Sequence, residues 1–367
     1  MAVSSLAPSY FFGDLVDQLN FGYTSVAICL LAVISLAVPH FGYGIECLAP
    51  DTFTQFQAKY VQKFCLFQNT FSPPQQQPGA FGAEPVRLQW IPLVLVLQAF
   101  LFYVPKLIWT WVERYGGVNI TKTVAMAQEA VQFDSKCRST AVETLVGQLK
   151  YSLQSSHSEL KIKQCLTPCG GNSLSCFYII IKMLYLLNLV GQLYWLNIML
   201  DGSPKERYAF KALKSLKAGQ PWPVSRNFPL VILCDFSVQQ MGMTTRRSVQ
   251  CVLPVNNLLE KMLLILWFWL LLLSVVTAIN LLYWFFAICA PTLQILTIRR
   301  YVFGLCGGEK IPDRLLRNFV LTYLKRDGVL MIKMISCHAG NLISSDLVKA
   351  LWEDYAAFAD QKEEKAA

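Results

Sequence analysis

Charge is scarce in this chain. Asp, Glu, Lys and Arg make up 15% of its 367 residues while hydrophobic residues make up 54%, and an ordinary soluble domain carries about 25% charged residues. Histidine is scarcer still, with only His40, His157 and His338. No H-E-x-x-H, G-x-S-x-G or Gly-rich phosphate loop occurs, which excludes those zinc, serine-nucleophile and nucleotide motifs. The run Asp-His-His-Cys is absent too, which argues against a membrane acyltransferase of that pattern. Met1 to Asn20 holds no Lys or Arg, and its first acidic residues are Asp14 and Asp17. A basic n-region is therefore missing, no cleaved signal peptide is expected, and the first apolar run is expected to remain in the protein. The chain does not read as an enzyme, and no catalytic residue, metal or cofactor is expected.

In place of charge there are four long apolar stretches. Phe21 to Ile45 and Met262 to Ile298 carry no charge, Leu88 to Trp111 carries only Lys106, and Ser173 to Leu200 carries only Lys182. Each is long enough to cross a hydrocarbon core of about 30 Å as a helix. The second is the most individual. Gln89 and Trp90 stand at one end, Gln98 near the middle, and Pro105, Lys106, Trp109 and Trp111 at the other. Pro105 removes one helical hydrogen bond and crowds the Leu101 carbonyl, so a kink is expected there. The third span has a polar stripe, Tyr178, Lys182, Tyr185, Asn188 and Gln192, within one arc at 100° per residue. Such a stripe faces either the inside of a bundle or a water-filled cavity, and helix-to-helix bonding within one subunit is the favoured reading.

Lys/Arg counts orient the spans only weakly. The segment between spans two and three has seven and the tail after Ala290 eleven, against three between spans one and two and eight between spans three and four. The balance puts both termini inside. The net charge of +9 suits basic inside loops near anionic lipid and calls for no nucleic acid. Of twelve cysteines, two fall in each outside segment, Cys47 and Cys65, then Cys234 and Cys251. An oxidising exterior preserves disulfides, and four cysteines allow three pairings. Cys165, Cys169 and Cys176 near His157 have a C-x3-C-x6-C spacing that fits no usual zinc pattern, so they read as reduced or lipidated thiols.

The expected division is an N-terminal segment 1–20, spans at 21–41, 88–111, 174–200 and 261–290, outside loops at 42–87 and 201–260, an inside loop at 112–173 and an inside helical domain at 291–367. In the first outside loop, Phe53, Phe56, Tyr60, Val61 and Phe64 form one apolar helix face, with Pro50 and Asp51 as its start. Alternation around Cys251 predicts short strands. The inside loop reads as helices near Lys122 to Gln132 and Ala141 to Gln154. In the tail, Gly328 reads as a helix stop and Asp346 as a helix N-cap. The fold class is an all-α membrane protein. It has a four-helix transmembrane bundle, a small disulfide-stapled extracellular domain of a helix plus short strands, and a cytosolic helical domain. Its function is either to line a pore by oligomerising or to act as an adhesion or scaffold protein.

Span two, LQWIPLVLVLQAFLFYVPKLIW, resembles the Tyr-Tyr-Gln-Trp-Val-Pro signature and the Phe-Tyr-x-Pro-Lys/Arg-x-x-Trp run of the innexins, the invertebrate gap-junction proteins related to pannexins. The pair Cys47 and Cys65, NFPLVILCDF leading to Cys251, EKMLLILWFW, DLVDQLN and YLKRDGV are similar as well, so the resemblance covers nearly the whole chain. Connexins, with three cysteines per loop, do not fit. The signature's two tyrosines are Arg87 and Leu88 here, its valine is Ile91, and the usual tryptophan after the first loop cysteine is Leu48. These mark a divergent member.

The resemblance implies a plasma-membrane gap-junction subunit that self-associates, eight to a hemichannel, or mixes with related subunits. Hemichannels would dock with those of the adjacent cell and pass ions and small solutes. It also implies disulfides Cys47–Cys251 and Cys65–Cys234. The N-terminal segment would fold into the cytosolic mouth, and Asp14, Asp17, Thr24, Ser25 and Glu46 are the pore-lining candidates. The only N-x-S/T sequon is Asn119-Ile120-Thr121, on the inside. No outside sequon exists to place a glycan on the docking face, which favours a junction over a pannexin-like release hemichannel.

Overall fold

Hydrocarbon offers the backbone no hydrogen-bond partner, so a crossing segment must satisfy its amides internally. Four helices here are long and apolar enough to do so: Leu15–Ala37, Ile91–Arg114, Ser173–Leu200 and Pro254–Cys289. The structure is a computed structural model. It describes residues 13–41, 44–48, 53–68, 71–72, 90–116, 120–132, 135–155, 173–201, 208–219, 225, 227–240, 242–303 and 312–364.

Helix α1 runs from Leu15 to Ala37 with a π-helical turn at Leu19–Thr24. The expected boundary at residue 20 is absent, because DLVDQLN is the first part of the spanning helix. Asp14 starts it. The Asp17 amide donates to Asp14 Oδ1 at 3.0 Å, and the Asp14 amide donates to Asp17 Oδ2 at 3.3 Å, a reciprocal cap that satisfies two otherwise orphaned donors. Gly13 precedes it at φ +77°, where a Cβ would lie 2.3 Å from Asp17 Oδ2. No proline follows until Pro39, and the helix reaches Ala37, two residues before it.

Helix α3, Ile91–Gly116, is the second span. It continues through Pro105, which is buried, so the expected kink does not end the helix. Leu88 and Gln89 lie outside the described residues. Helix α6, Ser173–Asp201, is the third span. Helix α8, Pro254–Cys289, is the fourth, and it begins before the expected residue 261 because Pro254 takes the first helical position, where its missing N–H costs nothing. At 36 residues α8 is about 54 Å long, so it must extend beyond the hydrocarbon. Pro291 then opens α9, Pro291–Phe303.

The chain divides into two compact units. The first is Met1–Phe21, Val104–Tyr185 and Val276–Ala367; the second is Gly22–Tyr103 and Leu186–Val275. In the first unit the span ends join a helical bundle of α4, Ile120–Gln132, α5, Ser135–Ser155, α10, Asp313–Asn318, α11, Lys325–Ala339, and α12, Asn341–Glu364. Its core includes Ala127, Leu149, Phe319, Leu324, Leu347 and Leu351, all fully buried. A π-helical turn, Phe319–Leu324, links α10 to α11.

The tail's expected punctuation is not used. Gly328 is buried within α11, and the stop comes at Gly340 with φ +85°. Helix α12 begins at Asn341, so Asp346 lies within it rather than at its N-terminal boundary. Asp327, beside the expected stop, instead caps α6. Its Oδ1 accepts from the Ser175 amide at 2.9 Å and the Ser175 hydroxyl at 2.7 Å, and its Oδ2 accepts from the Leu174 amide at 3.4 Å. A carboxylate is favourable there because the first amides of a helix lack partners. Burial pushes the Asp327 carboxyl above the usual range, against the lowering effect of those hydrogen bonds.

In the second unit, strands β1, Glu46–Cys47, β2, Phe71–Ser72, β3, Val231–Gln240, and β4, Met243–Val252, form an antiparallel sheet in the order β1-β4-β3-β2. The strands β3 and β4 are ten residues each rather than short. Met243 to Ser248 are exposed on both faces, so their sequence lacks the alternation that would mark a strand. Helix α2, Gln55–Gln68, starts at Thr54, which shares a capping box with Gln57. The expected start at Pro50 and Asp51 lies outside the described residues. Helix α7, Tyr208–Lys217, buries Tyr208, Ala209 and Ala212, and the Tyr208 hydroxyl donates to Glu260 Oε1.

Gly13→Ala is expected to destabilise the start of α1 by about 1 kcal/mol or more, since alanine meets both a left-handed backbone and the Asp17 carboxylate. A thermal-unfolding midpoint of detergent-solubilised protein equal to that of wild type would contradict this.

Candidate functional site

The polar stripe of α6 leads to a buried charged group in the first unit. Lys182 stands nine residues into the helix, about 14 Å from its start, and is 1% exposed. A buried ammonium needs opposite charge and hydrogen bonds. It finds the opposite charge in the start of α1. Its Nζ lies 2.8 Å from Asp14 Oδ1 and 2.9 Å from Asp17 Oδ2. The capping box that starts α1 is therefore also the counter-charge for Lys182.

The fourth span completes the cluster. Asn280 Nδ2 and Trp284 Nε1 donate to Asp14 Oδ2 at 2.7 and 2.6 Å. The Tyr178 hydroxyl donates to Asp17 Oδ2 at 3.5 Å, and Asn20 Nδ2 donates to Thr277 Oγ1 at 3.0 Å. Tyr178 packs edge-on against Trp109 and Trp284, with ring centres 5.8 and 5.0 Å apart, which leaves little room for water around the charges. From α11, Lys333 lies 5.0 Å from the Trp284 ring and His338 lies near the Gly13 backbone. Burial holds the His338 imidazole below its usual range, while Gly13 and Asp14 act in the opposite direction. Breaking a buried pair by removing one partner costs about 3–5 kcal/mol, because the other charge is left uncompensated.

The second unit holds the four cysteines expected outside. Cys47 bonds Cys251 and Cys65 bonds Cys234. The register explains the first bridge, for Cys47 stands directly opposite Cys251 in the β1–β4 pair. The second joins α2 to β3, beside contacts of Phe53 and Phe64 with Phe236. The Cys65 sulfur lies within 4.8 Å of those of Cys47 and Cys251, so the bridges are neighbours. These sulfurs are consumed by disulfides and offer no metal-binding thiolate.

The remaining expected residues fall in different settings. Asp17 and Thr24 are buried within the subunit, and Thr24 Oγ1 accepts from Trp269 Nε1 at 3.1 Å. Asp14 is partly buried and turned to Lys182. Ser25 is half-buried and donates to the Ala99 carbonyl at 3.2 Å, whereas Glu46 is exposed on β1. In the stripe of α6, Tyr178, Lys182, Tyr185 and Gln192 are all buried, which makes it a bonding face inside the subunit. His157, Cys165 and Cys169 lie outside the described residues, as does Asn119 of the sequon. Asn280 and Trp284 escaped sequence reasoning because both look ordinary in a long apolar span. One signal was available for the ion pairs: Lys182 needed a counter-charge, and Asp14 and Asp17 are acids i, i+3 beside an uncharged span.

Comparison with known proteins supplies the family. The Innexin family model matches residues 13–355. Innexin unc-9 of Caenorhabditis elegans is 34% identical over 365 residues, covering 96% of this chain and 94% of that protein. Innexin-3 of the same organism is 31% identical over 353 residues, covering 94% and 84%. Innexin-11, also from that organism, is 29% identical over 366 residues, covering 93% and 78%. With four spans, a disulfide-bonded sheet and a match along nearly its whole length, the chain belongs to the innexin family of gap-junction channel subunits, as a divergent member.

Proposed function

We propose that this innexin assembles around a central aqueous pore, eight subunits to a hemichannel, and that hemichannels of adjacent cells dock through the disulfide-bonded domain. The observation that carries the reading is the joining of two loops far apart in sequence, one on each side of spans two and three, by Cys47–Cys251 and Cys65–Cys234. A docking surface formed from several loops gains affinity if its shape is fixed beforehand, since less ordering entropy is lost on contact. In this reading both termini and the helical domain are cytosolic and the sheet is extracellular. The start of α1 lies at the cytosolic mouth, α1 and the beginning of the first loop line the path, and ions and small solutes pass. Ser25 and Glu46 are the polar candidates for the lining, Glu46 by its exposure on β1. Asp14, Asp17 and Thr24 serve instead to hold α1 in place, because their side chains are engaged inside the subunit. Partners are further copies of this chain or related subunits, the opposing hemichannel, and lipid against such exposed residues as Leu97, Leu187 and Ile279.

Two cells expressing the chain are expected to be coupled by current and by small dyes, above untransfected pairs. Current in single cells with none between pairs would instead support a pannexin-like release hemichannel. Surface protein with neither current nor dye movement would support an adhesion or scaffold role.

Cys47→Ser is expected to reduce coupling to background while leaving surface protein near the wild-type amount. Membrane insertion depends on the apolar spans, whereas the bridge holds β1 to β4. Surface biotinylation beside paired recording measures both, and normal coupling would contradict the proposed need for the bridge.

A further inference from the structure

In the described residues the start of α1 is fixed by one charge centre and a ring of neutral donors around it. Asp14 and Asp17 both lie within 3 Å of Lys182 Nζ, while Asn280, Trp284 and Tyr178 supply hydrogen bonds. We infer that Lys182 is the positioning residue of the conduction pathway: by holding Asp14 and Asp17 it sets where the N-terminal end of α1 sits, and channel conductance and voltage response depend on that placement. The inference rests on the reading that α1 lines the path.

The charge balance makes the dependence specific. Two carboxylates three residues apart share one ammonium, so removing Lys182 leaves two like charges together in a buried site. The donors of Asn280 and Trp284 cannot neutralise them. Either the end of α1 moves toward water or the acids take up protons, and both outcomes change the anchor of Gly13, to which the twelve preceding residues are attached. The rest of the α6 stripe shows that charge is not needed for packing. Tyr178 and Tyr185 are as buried as Lys182, and Gln192 is also buried, while all three are uncharged. Ionised residues inside membrane spans are costly and mark functional positions more often than structural ones. The other basic groups of α11 that approach the site take different partners. Lys333 lies over the Tyr283 and Trp284 rings, and His338 meets the Gly13 backbone.

The test is paired-cell recording with junctional protein quantified in the same cells. Lys182→Met is expected to displace the conductance–voltage curve and lower junctional conductance at least threefold per unit of junctional protein, while Lys182→Arg keeps the wild-type curve. A third variant, Lys182→Met with Asp14→Asn and Asp17→Asn, removes all three charges of the site together, a replacement that buried ionic clusters often tolerate. It is expected to reach junctions in wild-type amount with the displaced curve. If Lys182→Met alone fails to reach the membrane, this uncharged variant decides the matter. A wild-type curve and conductance in either methionine variant would overturn the inference, as would a methionine-like curve in Lys182→Arg. Absence of coupling by the wild-type chain would overturn the channel reading itself, and so is a separate result.

Discussion

An ammonium group inside a membrane helix is tolerated only if the surrounding chain is arranged for it, and much of the first unit is arranged for Lys182. The cost of the unpaired charge is several kcal/mol. Meeting it draws in the beginning of α1 through two carboxylates, the fourth span through Asn280 and Trp284, and the aromatic wall of Tyr178 and Trp109. The same carboxylates start α1 by capping each other's amides. Helix initiation, charge pairing and span packing thus depend on one pair of side chains. This explains why the acidic segment before the first apolar run continues into the spanning helix.

The second unit solves a different problem. A sheet with two-residue edge strands has few ladder bonds to fix β1 and β2. Covalent bonds take over that task. Cys251 anchors β1 from the opposite register position, and Cys234 anchors α2 on the face of β3. Between them the bridges close chain separations of 204 and 169 residues, where loop-closure entropy is large. The hairpin beyond Cys234 carries exposed side chains on both faces through Met243 to Ser248, so little apolar burial holds that part in place.

How much of this the sequence shows depends on the range of the interaction. Hydropathy is local, so all four spans were legible, as was the helix bearing Phe64 and Cys65. The four disulfide cysteines were legible as a group, while their pairing came only from family resemblance. Punctuation in the tail misled because a cap is a local signal with a possible distant use. Asp327 and Gly328 look like the end of a helix, yet the carboxylate is engaged by Ser175, 152 positions away. The π-helical turns in α1 and before α11 leave no compositional trace. Strands β3 and β4 were underestimated for a related reason: exposed polar residues such as Thr244, Thr245, Arg246 and Arg247 carry no period-two pattern, although the ladder pairs them throughout.

Asp327 and Lys182 together give α6 a distinctive position in the first unit. Its N-terminal amides are capped from the C-terminal domain, while its side chain nine residues on is paired with the N-terminal end of α1. Helix α11 supplies the cap near its own beginning and reaches Gly13 through His338 near its end. It also lies against the fourth span through Lys333 and the Tyr283 and Trp284 rings. The C-terminal helical domain is therefore fastened to three spans by polar contacts rather than joined to them by a linker alone. A rigid-body displacement of α11 could not leave both the cap on α6 and the seat of Lys333 on the Trp284 ring unchanged. The start of α1 and the C-terminal domain thus meet within the first unit at Trp284, which donates to Asp14 and carries Lys333 over its ring.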